Sequence, residues 1–268
     1  MTVISKHDLS LVRTISFTEG SGLGELSEFA DFDVSSNAMA LLDGNAHKVV
    51  ITGLDGIPSH EIAFNSIRPS RLAFLDEDHL ILLSENTNNY IMNVVNLDGE
   101  FIHRFIEIES PDSHNPYQFR GRVVATKDHL YFAGRAESIL KKYTKEGALL
   151  FTKTTIDDLP SEHNYITFPA GGDGTPRGYS PGVLWSFFDV DVWDHHIITA
   201  PHHNSNPQFT LLDIYSSKNG EYEGTLFVED RPFSVAADDK YLYVAESRGG
   251  VRTLKKYPNN LREWITGK

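Results

Sequence analysis

Between residues 71 and 108 the chain alternates short apolar runs with short polar breaks. The runs are 72–75, 80–83, 90–97 and 101–108; the breaks are Asp76-Glu77-Asp78-His79, a polar loop at 84–89, and Asp98-Gly99. Apolar runs of this length, bounded by turn-forming residues, read as strands. Joined this tightly, they predict one antiparallel meander. Asp-Gly between two such runs signals a hairpin, because a type I′ turn needs positive φ at both central positions.

The same pattern recurs along the chain. FADFDV, MALLD, KVVITGL and HEIAF precede it, with Asp55-Gly56 at the third break. A third copy starts near residue 122, with Lys127-Asp128-His129 at its first break and Glu146-Gly147 at its third. A fourth starts at 185, with Trp193-Asp194-His195 and Asn219-Gly220, and a fifth at 232, with Asp238-Asp239-Lys240. Copies at a spacing of roughly 40 to 65 residues predict a closed radial array, since one such unit cannot bury both faces of its sheet alone. Residues 9–17, LSLVRTISF, are expected to close the array by pairing with 251–257 of the last unit. Residues 260–265 read as a short capped helix or tail. The Gly- and Pro-rich segment 161–182 reads as a long loop folding over the channel mouth; six units would follow if it carried strands.

The order of apolar strand, acidic turn, apolar strand and Asp-Gly hairpin resembles the β-propeller superfamily, most closely the NHL-repeat and six-bladed group. That resemblance implies an all-β fold: a single β-propeller domain over residues 1–268. It would have four-stranded antiparallel blades, five favoured, closed by an N-terminal strand. It also implies that ligands sit around the central channel, on the face carrying the second-to-third loops and the blade-to-blade connections.

Composition narrows the function. With 24 basic and 37 acidic residues the formal charge is -13, which argues against nucleic-acid partners and anionic membranes. There is no cysteine, so disulfides and thiolate chemistry are excluded. No run approaches the ~18 apolar residues of a membrane span, and no signal peptide is visible at the N-terminus. The protein is read as a soluble, cytoplasmic monomer; a chain whose leader had been removed would look the same.

The candidate chemistry lies in arginines. Arg68 and Arg71 precede the second unit, Arg120 and Arg122 the third, Arg177 the fourth and Arg231 the fifth; Arg135 and Arg248 come from second-to-third loops. Guanidinium forks converging on one face suit carboxylate or phosphate, and Tyr179 would help line the pocket. The plain alternative is that each arginine pairs with a nearby acid, with Glu85, Glu137 and Glu246 on the same side. His79, His129 and His195 recur at one turn and are most simply structural. His202 and His203 share a loop on the ligand face, where they would serve as base or metal ligand. Gly20 to Gly24 lacks the strand-then-helix setting of a phosphate loop, and the Asp-Gly turns lack a calcium ladder. No residue is assigned to a metal site, and the sequence leaves any cofactor unknown. Two functions follow: a module binding an anionic small molecule or a protein or peptide, or a lyase or hydrolase at the channel mouth using His202 and His203.

Overall fold

A computed structural model of the protein describes residues 1–84, 90–107, 120–134, 138–156, 187–201, 210–228, 232–248, 251–261 and 263. Its strands form five successive antiparallel meanders and one short N-terminal hairpin. Strands β1 (Thr2–Ile4) and β2 (Leu11–Thr14) make the hairpin. Blade 1 is β3 (Phe29–Val34), β4 (Ala38–Asp43), β5 (Lys48–Gly53) and β6 (Pro58–Ala63). Blade 2 is β7 (Pro69–Phe74), β8 (His79–Ser84), β9 (Tyr90–Asn96) and β10 (Phe101–Glu107). Blade 3 is β11 (Gly121–Ala125), β12 (His129–Gly134), β13 (Ile139–Thr144) and β14 (Leu149–Thr154). Blade 4 is β15 (Phe187–Trp193), β16 (His196–Pro201), β17 (Thr210–Ser216) and β18 (Tyr222–Val228). Blade 5 has β19 (Pro232–Ala237), β20 (Tyr241–Arg248) and β21 (Val251–Pro258). The fold is an all-β, five-bladed β-propeller.

The residues gather into two compact units. One comprises Met1–Pro116, Ala125–Leu130 and Tyr143–Ala148; the other comprises Tyr117–Val124, Tyr131–Lys142 and Leu149–Lys268. In the first, apolar side chains of blades 1 and 2 interleave: Ala40, Leu42, Val49 and Ile51 pack with Leu72, Phe74, Leu80 and Leu82. In the second, Ile198, Leu212 and Ile214 of blade 4 pack with Val235, Leu242 and Val244 of blade 5. In blades 1 and 2 the second and third strands are buried on both faces, which is why they read as continuous apolar runs rather than alternating ones.

The hairpins between third and fourth strands differ from the expected geometry. Gly56, Gly99, Gly147 and Gly220 carry positive φ (86°, 85°, 89° and 72°), while the preceding Asp, Glu and Asn do not. The N–H of Gly56 bonds the carbonyl of Gly53, and the N–H of Gly53 bonds that of Ile57. This is a turn closed by a left-handed glycine, with a bulge in the ladder at Ile51/Thr52, not a two-residue type I′ turn. Each glycine also lies against the preceding element. A Cβ on Gly99 would meet Ile62, one on Gly147 would meet the Phe105 ring at 2.7 Å, and one on Gly220 would meet Phe151 and Lys153. Gly147→Ala is therefore expected to cost about 2 kcal/mol, combining left-handed strain with a clash. Urea unfolding should show it as a lowered midpoint with an unchanged slope.

The N-terminal strand departs from its expected pairing. Strand β2 pairs with β1, in the register Thr2↔Thr14 and Val3↔Arg13, and not with β21. The reason is local. The Met1 ammonium and Ile15 N–H tie the two ends of the hairpin together. Arg13 donates to the Leu54 carbonyl, and Ile15 packs where a Cβ on Gly56 would be. Ile15 thus meets Gly56 as Ile62 and Phe105 meet the turn glycines of blades 2 and 3.

The glycine-rich segment is a strap on blade 1. Buried Lys48 donates to the Gly22 carbonyl at 2.9 Å and to Glu61 at 2.8 Å, while Gly24 N–H donates to the same Glu61 oxygen. Leu26 and Phe17 then cover Leu41 and Val50. Residues Leu261 and Glu263 are helical, in keeping with a short helical tail.

Candidate functional site

The first strands of blades 1, 2, 4 and 5 carry a bulge near their start, and the residue after it is equivalent from blade to blade. The registers Asp31↔Leu42, Arg71↔Leu83, Asp189↔Ala200 and Ser234↔Ala245 establish the match. Arg122 takes the same place in blade 3. It lies four residues before Thr126, whose N–H bonds the His129 carbonyl, as Arg71 lies four before Leu75, bonded to His79. One position therefore holds Asp31, Arg71, Arg122, Asp189 and Ser234.

Its acids clamp neighbouring blades. Asp31 accepts the Leu72 N–H at 3.1 Å, and Asp33 accepts the Phe74 N–H at 2.7 Å. Asp189 accepts the Ser234 hydroxyl at 2.5 Å and the Val235 N–H at 3.2 Å; Asp191 accepts the Ala237 N–H at 2.7 Å. The same Asp-x-Asp device therefore joins blade 1 to blade 2 and blade 4 to blade 5. Each carboxylate oxygen satisfies a strand N–H that no ladder reaches. Burial pushes Asp33 and Asp189 above the ordinary carboxylate range, against the hydrogen bonds that favour their charge. The signal was present in FADFDV and FFDVDV, but the partner of each acid lies more than forty positions away.

The arginines divide into two kinds. Arg122 Nε stands 3.4 Å from Asp189 Oδ1, so it pairs with an acid on the next first strand. Arg71 is half-buried, with Nη1 donating to the Ser70 carbonyl. Arg68, just before β7, is exposed, and Arg120, just before β11, is half-exposed. Glu246, expected as a counter-charge, is fully buried and held by Lys255 at 2.8 Å and the Tyr257 hydroxyl at 3.3 Å. Arg248 ends β20, paired with Val251. Arg135, Arg177, Tyr179, Arg231, His202 and His203 lie outside the described residues, as do Glu85, Glu137 and the 161–182 loop.

The turn histidines repeat with one change of register. His79 and His129 open second strands; in blade 4 that place belongs to His196, which pairs with Trp193, and His195 projects from the turn. The turn is tighter there than in blade 2, and the shift follows from that. His79 Nδ1 lies 2.8 Å from Asp76, and His196 Nδ1 lies 2.7 Å from Glu223. Two further histidines form a repeated tie that the sequence pattern did not single out. His60 Nε2 donates to the Leu97 carbonyl at 2.8 Å, and His103 Nε2 to the Lys145 carbonyl at 3.2 Å. Each fastens a fourth strand to the next blade's glycine turn. Among the described residues no group of three or more His, Asp or Glu is placed to hold a metal ion, and no helix is long and apolar enough to cross a membrane.

These sheets define a β-propeller. No family model and no curated protein sequence matches the chain. Among solved structures the chain is similar in fold to that of U3-55K. The TM-score is 0.56 at 10% identity, over 91% of this chain and 67% of that one. It also aligns with the Neurospora crassa Pan2 WD40 domain, with a TM-score of 0.49 at 11% identity, over 81% of this chain and 58% of that one.

Proposed function

We propose that the chain is a binding module: a single propeller domain over residues 1–268, built of NHL-like repeats. It would be monomeric and would hold an acidic protein or peptide, or an anionic small molecule, on its blade-entry face. One observation carries this reading. At the entry to blade 2 the inner arginine, Arg71, is folded into the first strand, and the outer one, Arg68, is exposed. Exposed guanidinium groups attract carboxylates, and the acidic surface of the rest of the chain confines an anionic partner to them. Arg135, Arg177, Tyr179, Arg231 and Arg248 are added to that face from their order in the sequence alone. The lyase or hydrolase alternative rests on His202 and His203 alone and draws no support from the described residues.

The test is calorimetry with an oligoglutamate peptide and, separately, inorganic phosphate. Arg120→Ala is expected to weaken binding of the peptide by about 1.5 kcal/mol, the low end for a hydrogen bond to a charged group. Affinity unchanged in both Arg68→Ala and Arg120→Ala would remove the blade-entry face as the site.

A further inference from the structure

Blade 1 holds in solvent a position that the other blades bury. The residue after Asp31, Arg71, Arg122, Asp189 and Ser234 is Phe32, Leu72, Val123, Val190 and Val235. Its exposure is 3 to 6% in blades 2 to 5 and 46% in blade 1. Two residues on, Phe74 of blade 2 is buried, whereas Val34 of blade 1 is 46% exposed. Phe29 is exposed as well, its ring 5.9 Å from that of Phe32. Farther out on the same face Leu41, opposite Phe32, and Val50, opposite Leu41, lie under Phe17 and Leu26 of the strap. The strap thus covers the middle strands and leaves β3 open. A contiguous apolar patch of this kind marks an interaction surface more often than a lone exposed side chain does.

The covering of the equivalent positions defines what fits there. Leu72 and Phe74 pack against Ala40, Leu42, Val49 and Ile51, while Asp31 and Asp33 accept their N–H groups. Asp31 is paired with Leu42 and Asp33 with Ala40, so one antiparallel strand pair supplies both the acids and aliphatic side chains. Blade 4 covers Val235 in the same way: Asp189 is paired with Ala200 and Asp191 with Ile198, and the two acids accept the N–H groups of Val235 and Ala237.

We propose that Phe29, Phe32 and Val34 dock a β-hairpin of a partner protein, with acids two residues apart on one strand and small or branched aliphatic residues on the strand beside it. The pair Phe32↔Leu41 corresponds to Leu72↔Leu82, so the N–H of Phe32 points away from β4 as that of Leu72 points away from β8. The partner's first acid accepts that N–H, and its aliphatic side chains cover the two rings. A second copy of this chain fits less well. The two acid-bearing faces of this kind among the described residues are engaged within the chain, on blades 2 and 5. Three half-exposed side chains offer apolar surface on the order of 250 Å², which suits one hairpin and falls short of the ~800 Å² per partner of a stable dimer. The site uses none of the blade-entry arginines.

The probe is a synthetic peptide of residues 29–43, the β3–β4 hairpin whose other face already covers blade 2. It carries Phe32→Thr and Val34→Thr and is closed by a disulfide between cysteines added at its ends, because an isolated hairpin is only marginally stable. With the intact chain the peptide is expected to slow amide exchange at Phe32 by roughly tenfold. Phe32→Ser in the chain should weaken the peptide's affinity by roughly tenfold and leave the melting temperature unchanged, since the ring it removes is exposed. Asp31→Asn with Asp33→Asn in the peptide should also weaken binding, and Arg68→Ala in the chain should not. Absent protection at Phe32, protection at residues 69–74 in its place, or a loss of affinity in Arg68→Ala would overturn the proposal. So would a fall in melting temperature for Phe32→Ser as large as for Leu72→Ser, because the ring would then be covered within the chain. Self-association in sedimentation that Phe32→Ser abolishes would assign the face to a second copy and equally overturn it.

Discussion

Asp189→Ala is expected to cost about 3 to 5 kcal/mol of folding stability, the range for breaking a buried pair from one side. The carboxylate accepts from the Ser234 hydroxyl and Val235 N–H, and it faces Arg122 Nε at 3.4 Å. Truncation strands a buried main-chain donor, which then bears an uncompensated desolvation cost, and it removes one acid from beside the Arg122 guanidinium. Asp189→Asn keeps an acceptor for Val235 and should recover part of the loss. Urea unfolding at neutral pH reads both; a cost below about 1 kcal/mol for the alanine variant would mean that the Asp-x-Asp clamp is not a fastening. The pH dependence has a definite sign. Burial raises Asp189 in the folded state, so the folded protein holds this proton where the unfolded chain has released it. The contribution of this group to stability therefore falls as pH rises from the ordinary carboxylate range through the raised folded value. The difference between wild type and Asp189→Asn should change in that window.

Asp43→Ala is expected to be of similar size, about 3 to 4 kcal/mol, for a different reason. This fully buried carboxylate gathers the N–H groups of Ser27 (2.6 Å), Ala46 (2.9 Å), Asn45 (3.1 Å) and Glu28 (3.2 Å), together with the Ser27 hydroxyl. It closes the turn after β4 and pins the glycine-rich strap to blade 1. Hydrogen bonds to a charged acceptor contribute about 1.5 to 3 kcal/mol each, and several removed together do not add fully. Burial acts to raise this group, but the N–H groups of Ala46, Ser27 and Glu28 outweigh it and hold it below the ordinary value of 3.8. Its sign is thus opposite to that of Asp189: the stabilisation is present above the ordinary carboxylate value and is lost as pH falls through the folded one. Acid titration of the unfolding midpoint should show the gap between wild type and Asp43→Asn closing only in that acidic window. A gap that stays constant with pH would show that the carboxylate acts by shape and not by charge.

Both aspartates show where local pattern stops being informative. The strand positions were legible because a strand's apolar run and its turn residues are neighbours in sequence; 90–97 and 101–108 correspond to β9 (Tyr90–Asn96) and β10 (Phe101–Glu107). Glycine at the third break was legible for the same reason, although only the structure shows that one residue of each pair, and not both, is left-handed. Of the candidate site, the sequence located arginines at the blade entries. It did not separate Arg122, spent on Asp189, from Arg68, which is exposed.

What the sequence determined by itself is the repeat: five units, their strands, their turns and an all-β propeller, since each depends on residues a few positions apart. The tertiary structure decided everything that passes between units. Asp31 and Asp189 reach first strands more than forty residues on, and His60 and His103 reach turns about as far away. It also decided that β2 pairs with β1 and that Pro258–Leu261 turn away after β21. Those outcomes depend on competing partners distant along the chain: Ile15 settling on Gly56, and Leu261 drawn into the core between blades 4 and 5. Hydrophobic periodicity says that such residues will be buried, and it does not say against what.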